Sequence, residues 1–177
     1  KGASVRAADQ NPAMAGVVAG VQIEPQAEAA FRDAELIVLS PGVPADLAIF
    51  EEARRRGVRV IGDLELAGWY LQGEIIGITG ANGKTTTTAL TGHILKHSGI
   101  PVQVGGNIGR PPAAMVKTSR AGQWNVLELS SFQLETTQTF RAHIGAALNV
   151  TPDHLDRHGT LERYADATWG GKVGPGD

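Results

Sequence analysis

The chain has 177 residues, 42% of them apolar, a net charge of −2 and no cysteine. That is enough apolar material for a packed core, and it excludes a disordered chain, a basic nucleic-acid footprint, a disulfide framework and a thiolate metal site. Its longest apolar runs are strand-sized, so no membrane-spanning helix is expected, and no basic stretch followed by an apolar one opens the sequence as a secretion signal would.

Strand and helix signals alternate along the chain. Residues 5–8 read as a strand ending at Asp9, residues 26–31 as a short helix, and residues 36–39 as a buried strand closed by the turn Ser40-Pro41-Gly42-Val43-Pro44. Residues 45–56 are predicted helical, with Leu47, Phe50 and Ala53 on one face and Gly57 as the stop signal, and residues 58–61 form the next strand. Residues 62–74 break this rhythm and are the expected linker between two domains, 1–70 and 71–177.

Beyond the linker the alternation restarts: strand 75–79, helix 84–98, strand 101–104, loop 105–109, strand 126–129, strand 145–150 and helix 161–167. In the helix at 84–98, Thr87, Leu90, Thr91, Ile94 and Leu95 share a face, which is expected to pack on the sheet. Thr151-Pro152 reads as a helix cap and first-turn proline. The whole pattern predicts an α/β fold with a mostly parallel sheet and helices on its faces. Both ends read as cut, with a strand-like run near Lys1 and a tail from Thr168 that dissolves into glycine and proline.

The most informative stretch is GITGANGKTTTT at 77–88. A strand, a glycine loop and then Lys84 and Thr85 opening a helix make a phosphate cradle: glycines let backbone N–H groups converge on an anion, and the helix N-terminus adds partial positive charge. The lysine reaches terminal phosphates and the threonine hydroxyl suits a Mg²⁺ that travels with them. The pattern G-x-x-x-x-G-K-[ST] is met imperfectly, because Ile78 stands where its first glycine belongs and Gly80 makes a tighter loop.

In open α/β sheets ligands gather beyond the carboxyl ends of the strands. Polar residues follow the strands at Asp9, Ser40, the loop from Gly80 to Thr85, Gly106-Asn107, Glu128 to Ser131, and Asn149 to Asp156. Glu128 lies in an apolar strand, where a carboxylate is costly unless paired or metal-bound, so it is a candidate for Mg²⁺. His154 sits among Asp153, Asp156 and His158; a metal or phosphate contact and a surface or capping role are both open. His158, Asp153, Asp156 and Arg157 are expected to form a local salt-bridge cluster. Taken alone, Asn107 is a turn residue, and Ser40 and Gly42 form a weak phosphate-holding turn.

Together the strings LSPGVP (39–44), GITGANGKTTTTAL (77–90), GGNIG (105–109), VLELSSFQLE (126–135) and NVTPDHLDRHGTLERYADA (149–167) resemble the Mur ligases. The loop variant and DHLD-R-H belong to the wider superfamily that includes folylpolyglutamate synthetase, whereas SPGVP, GGNIG and ELSSFQLE are similar to the branch that adds D-glutamate. The resemblance implies a cytoplasmic enzyme of peptidoglycan precursor synthesis, with ATP and Mg²⁺ as cofactors and UDP-N-acetylmuramoyl-L-alanine and D-glutamate as substrates. It also implies a partial Rossmann-like UDP-binding domain at 1–70, a truncated P-loop ATPase domain at 71–177, and a C-terminal domain that this sequence lacks.

Residue by residue, the resemblance implies that Gly80, Ala81, Asn82, Gly83, Lys84, Thr85 and Thr86 cradle ATP phosphates. Thr85 and Glu128 would serve one Mg²⁺, and His154 a second Mg²⁺ or an acyl phosphate. Lys84, Glu128 and His154 would carry the chemistry, and Asp9, Ser40, Pro41, Gly42, Asn107, Ser130 and His154 would meet the UDP-sugar substrate. The family places a lysine, whose carbamate bridges to Mg²⁺, four residues after Tyr164. Here that position is Thr168, which is short and neutral, and Lys172 one turn further on follows the helix-fraying Gly170-Gly171. Another amide ligase of the superfamily, or a non-catalytic nucleotide-binding module, remains an alternative.

Overall fold

The computed structural model describes residues 2–14, 21–151 and 155–169. The chain divides into two compact units, one built from the chain up to Ile37 together with Pro44–Val60, the other from Val38–Val43 and the chain from Ile61 onward. In chain order the strands and helices are β1 (Ala7–Asp9), β2 (Ile23–Pro25), β3 (Leu36–Leu39), α1 (Ala48–Arg55), β4 (Arg59–Gly62), α2 (Asp63–Gly68), β5 (Glu74–Thr79), α3 (Lys84–His97), β6 (Val102–Gly106), α4 (Pro112–Met115), β7 (Trp124–Glu128), α5 (Ser131–Glu135), β8 (Ile144–Ala147), α6 (Leu155–His158) and α7 (Leu161–Trp169).

In the first unit β1 and β2 pair in parallel, with Ala7 opposite Ile23 and Asp9 opposite Pro25. Phe31 meets Phe50 edge to face, with centroids 5.6 Å apart, and so seats α1. The helix expected at 26–31 is a 3₁₀ turn over Glu28–Phe31. β3 and β4 pair as a separate two-stranded sheet.

The second unit carries a four-stranded sheet in the order β6-β7-β5-β8, and every pair in it is parallel. The chain fills one side of β5 with β6 and β7, then crosses to the other side for β8, so the strand order reverses beside β5. Such switch points are where α/β sheets open a crevice at the strands' carboxyl ends. Period-two alternation assigns the faces. Ile75, Leu127 and Leu129 pack with Leu64, Met115 and Leu134 on one side, while Ile76, Ile78 and Val126 meet Leu95 and Val104 on the other.

The α3 face that packs is offset from the one its apolar spacing predicts, keeping Leu95 on the sheet but not Leu90 and Ile94. Thr88 and Gly92 are buried, whereas Leu90 and Ile94 are more than half exposed. Close approach decides this: a Cβ on Gly92 would stand 2.2 Å from Val104 Cγ2, so the small residues turn inward and let the helix sit low on β6. The stretch expected to be a linker, 62–74, contains α2 instead. Its Glu65 is fully buried and accepts hydrogen bonds from the N–H groups of Gln138, Thr139 and Phe140 at 2.8–3.0 Å, from the Trp69 indole at 3.0 Å and from the Thr139 hydroxyl. Burial alone would raise this carboxyl, but the donors outweigh it and hold it at about 2.

Candidate functional site

The sheet register prepares a row of groups at one rim. Gly106, Glu128 and Ile78 are aligned across β6, β7 and β5. Glu128 is the last residue of β7, on the same face as Val126, and that face is covered by α3. The carboxylate therefore emerges under the first turn of α3. The Thr85 hydroxyl donates to its Oε2 at 2.8 Å, and the Asn107 side-chain amide donates to its Oε1 at 3.0 Å.

β7 lies inside the sheet and Glu128 is only 2% exposed. Among the described residues its side-chain partners are these two neutral donors and no cation. Burying a carboxylate against neutral donors alone is costly, and a cation beside it would offset that cost. Backbone geometry reinforces the approach. The Asn107 N–H donates to Glu128 O at 2.8 Å, and a Cβ on Gly106, whose φ is +109°, would lie 2.2 Å from that same oxygen.

The loop between β5 and α3 turns on Gly80 (φ +135°) and on Gly83 (φ +85°), which is the N-cap of α3. Lys84 folds back over this loop, its ammonium donating to Gly80 O at 2.7 Å and Ala81 O at 2.9 Å. The first-turn N–H groups of α3 point past the helix end without intrahelical acceptors, the usual anion-binding arrangement. Asn149, just after β8, grips the loop: it exchanges side-chain hydrogen bonds with the Asn82 N–H and carbonyl, both at 2.9 Å.

The structure thus gathers Lys84, Thr85, Glu128 and Asn107 at one rim. Ser130 stands two residues beyond Glu128, where its hydroxyl and the Gln133 side chain form a reciprocal cap on α5. Ser40 sits in the turn after β3, its carbonyl accepting from the Val43 N–H at 2.9 Å, with Pro41 and Gly42 between them. Asp9 belongs to the first unit and its carboxylate accepts from the Asn11 N–H at 2.7 Å. His154, like Pro152, Asp153 and Lys172, lies outside the described residues.

Of the expected salt-bridge cluster, His158 and Arg157 can be placed, whereas Asp153 and the Asp156 side chain lie outside the described residues. His158 is buried, stacks on Phe132 with centroids 5.7 Å apart, and places Nε2 3.0 Å from the Ser131 hydroxyl. Arg157 pairs with Glu135 at 3.2 Å and lies over the Phe132 ring. Thr168 is fully buried too, and its hydroxyl donates to Tyr164 O at 2.7 Å.

Residues 78–170 match the family model described as the Mur ligase middle domain. The chain belongs to the Mur ligase family. Among similar proteins, the UDP-N-acetylmuramoylalanine–D-glutamate ligase of Solibacter usitatus is 62% identical over 168 residues, covering 93% of this chain and 38% of that protein. The ligase of the same name from Koribacter versatilis is 56% identical over 140 residues, covering 79% of this chain and 31% of that protein. The chain therefore spans about a third of the length of these curated relatives.

The crystal structure of the UDP-N-acetylmuramate:L-alanyl-γ-D-glutamyl-meso-diaminopimelate ligase from Neisseria meningitides aligns with a TM-score of 0.54 at 16% identity, covering 92% of this chain and 57% of that one. That likeness concerns the fold. The parallel α/β architecture is the one a Mur ligase of this kind carries. No helix among the described residues is long and apolar enough to cross a membrane.

Proposed function

We propose that this chain is part of a cytoplasmic ATP-dependent ligase that joins D-glutamate to UDP-N-acetylmuramoyl-L-alanine in peptidoglycan precursor synthesis. In this reading residues 71–177 supply the nucleotide site and residues 1–70 part of the UDP-substrate domain. The supporting observation is the rim at which Thr85 and Asn107 converge on the buried Glu128 carboxylate, beside a glycine loop that opens α3. The relatives named for this reaction add weight, at 62% and 56% identity.

In that reaction ATP phosphorylates the terminal carboxylate of the UDP-sugar substrate to an acyl phosphate and leaves as ADP. The D-glutamate amine then attacks the acyl carbon, an amide bond forms and phosphate departs. The chain's own groups suit the first step. The Gly80–Gly83 turn and the α3 N-terminus would receive the phosphates, and the Lys84 ammonium would leave the loop carbonyls to meet them. A hydroxyl and a carboxylate are hard oxygen donors of the kind Mg²⁺ accepts alongside substrate phosphates, so Thr85 and Glu128 fit that ion. Bound there, Mg²⁺ would offset the charge crowded between two anions. His154, Asp9, Ser40, Pro41, Gly42, Asn107 and Ser130 are proposed as substrate contacts.

A non-catalytic nucleotide-binding module is the second reading, and Thr168 favours it. The hydroxyl at the family's lysine position is committed to Tyr164 O and carries no charge. Phosphate release from ATP, UDP-N-acetylmuramoyl-L-alanine and D-glutamate separates the two. The expected outcome is no turnover by these 177 residues alone, and D-glutamate-dependent turnover by the whole parent protein that rises in its Thr168→Lys variant. A parent protein that stays inactive in both forms, yet binds ATP, would establish the module instead.

A further inference from the structure

We infer that Asn149 is the positioning residue of the phosphate loop, and that it decides which backbone N–H groups remain for an anion. This rests on the nucleotide-binding reading above. The ladder between β5 and β8 does not end with the strands. The Leu148 N–H donates to Thr79 O at 3.0 Å, and the Ala81 N–H donates to Asn149 O at 3.2 Å. The Asn149 side chain then takes over where the ladder runs out. Its Oδ1 accepts from the Asn82 N–H and its Nδ2 donates to the Asn82 carbonyl, each at 2.9 Å. Gly80 is pressed against the same residue: a Cβ there would lie 3.1 Å from both the Asn149 nitrogen and its oxygen.

The consequence is a division of labour among the loop's N–H groups. Those of Ala81 and Asn82 are turned to β8 and spent, so within this turn a phosphate chain is left with the Gly83 N–H, the first-turn N–H groups of α3 and the Lys84 ammonium. The clamp also holds the Asn82 carbonyl toward Nδ2, where its dipole cannot swing in to oppose an anion. Only an amide does both jobs. Aspartate offers an acceptor without a donor and adds negative charge beside the phosphates; alanine offers neither.

The test uses the 177-residue chain with Asn149→Ala, Asn149→Asp and Lys84→Ala. Residue-resolved amide exchange without nucleotide reads the clamp, and calorimetric titration with Mg-ATP, Mg-ADP and AMP reads its purpose. In Asn149→Ala, exchange at Ala81 and Asn82 is expected to rise about tenfold or more while Leu129, bonded to Ile78 O, stays slow. Affinity for ATP and ADP should fall about tenfold with AMP unchanged, because only the outer phosphates read the loop. Asn149→Asp should keep protection at Asn82 yet bind ATP no better than Asn149→Ala.

Unchanged exchange at Asn82 in Asn149→Ala overturns the clamp. An equal loss for all three nucleotides, accompanied by faster exchange at Leu129, overturns positioning in favour of plain destabilisation. If Lys84→Ala loses ATP while Asn149→Ala keeps it, the phosphate-loop reading stands and the role of Asn149 falls. If neither the wild type nor any variant binds ATP, the nucleotide reading fails and takes this role with it.

Discussion

Replacing Glu65 by glutamine removes a buried charged group that organises the turn after α5. The carboxylate is fully buried and receives hydrogen bonds from Trp69, Gln138, Thr139 and Phe140, which hold its pKa at about 2 against an ordinary 4.5. Because the folded value is depressed, the stabilisation is complete well above pH 4.5 and is lost as pH falls toward 2. A shift of this size corresponds to about 3 kcal/mol at neutral pH, of which about 1.4 kcal/mol is gone by pH ~3.5. Glutamine keeps one acceptor but aims an NH₂ at a ring of donors, and it does not titrate.

Urea unfolding of wild type and Glu65→Gln, followed by circular dichroism at pH 7 and at pH ~3.5, isolates this group from the other carboxylates, which titrate in both proteins. The wild type is expected to be more stable by about 3 kcal/mol at pH 7, with the gap narrowing by about 1.4 kcal/mol at the lower pH. A gap that stays constant, or widens in acid, refutes the claim that the donors hold Glu65 ionised.

Two glycine substitutions test close approach. In Gly106→Ala the new Cβ meets the Glu128 oxygen at 2.2 Å and nitrogen at 2.8 Å in a positive-φ residue. Neither backbone atom can yield cheaply, so stability should drop by about 3 kcal/mol and Mg-ATP binding with it; a variant that melts with the wild type would contradict the packing of β6 on β7. Gly92→Ala should destabilise by about 1–2 kcal/mol despite the helix-propensity gain. The clash is with the Val104 side chain, so Val104→Ala should relieve it in a double-mutant cycle, and additive losses would argue against the contact.

Much of the second unit was legible because its strands are dense in branched apolar residues and its turns carry glycine. The strands expected at 75–79 and 126–129 appear as Glu74–Thr79 and Trp124–Glu128, and the helix expected at 84–98 as Lys84–His97. α2 was not legible, since its buried face includes Glu65, whose polarity masks the apolar pattern until its donors from Gln138 to Phe140 arrive from far along the chain. β2 is three residues long and ends in proline, too little for a periodic signal. The packed face of α3 includes the expected Leu95 but turns from Leu90 and Ile94 for a different reason: spacing rewards large apolar residues, while the sheet selects the small ones that let the backbones approach.

The site divides along the same physical line. Glu128 stands out in sequence because a carboxylate in an apolar strand demands an explanation, and Lys84 and Thr85 stand out because glycines precede them. Asn107 and Asn149 do not, because an asparagine beside a strand end is an ordinary turn residue. What distinguishes them is which peptide lies across from them: Glu128 for Asn107, Asn82 for Asn149. Those pairings depend on the strand order β6-β7-β5-β8, which no local pattern encodes. Motifs therefore locate the groups that would touch phosphate and metal, whereas the groups that aim them are set by sheet topology. Substitutions at Asn107 and Asn149 should accordingly degrade geometry while leaving Lys84, Thr85 and Glu128 in place.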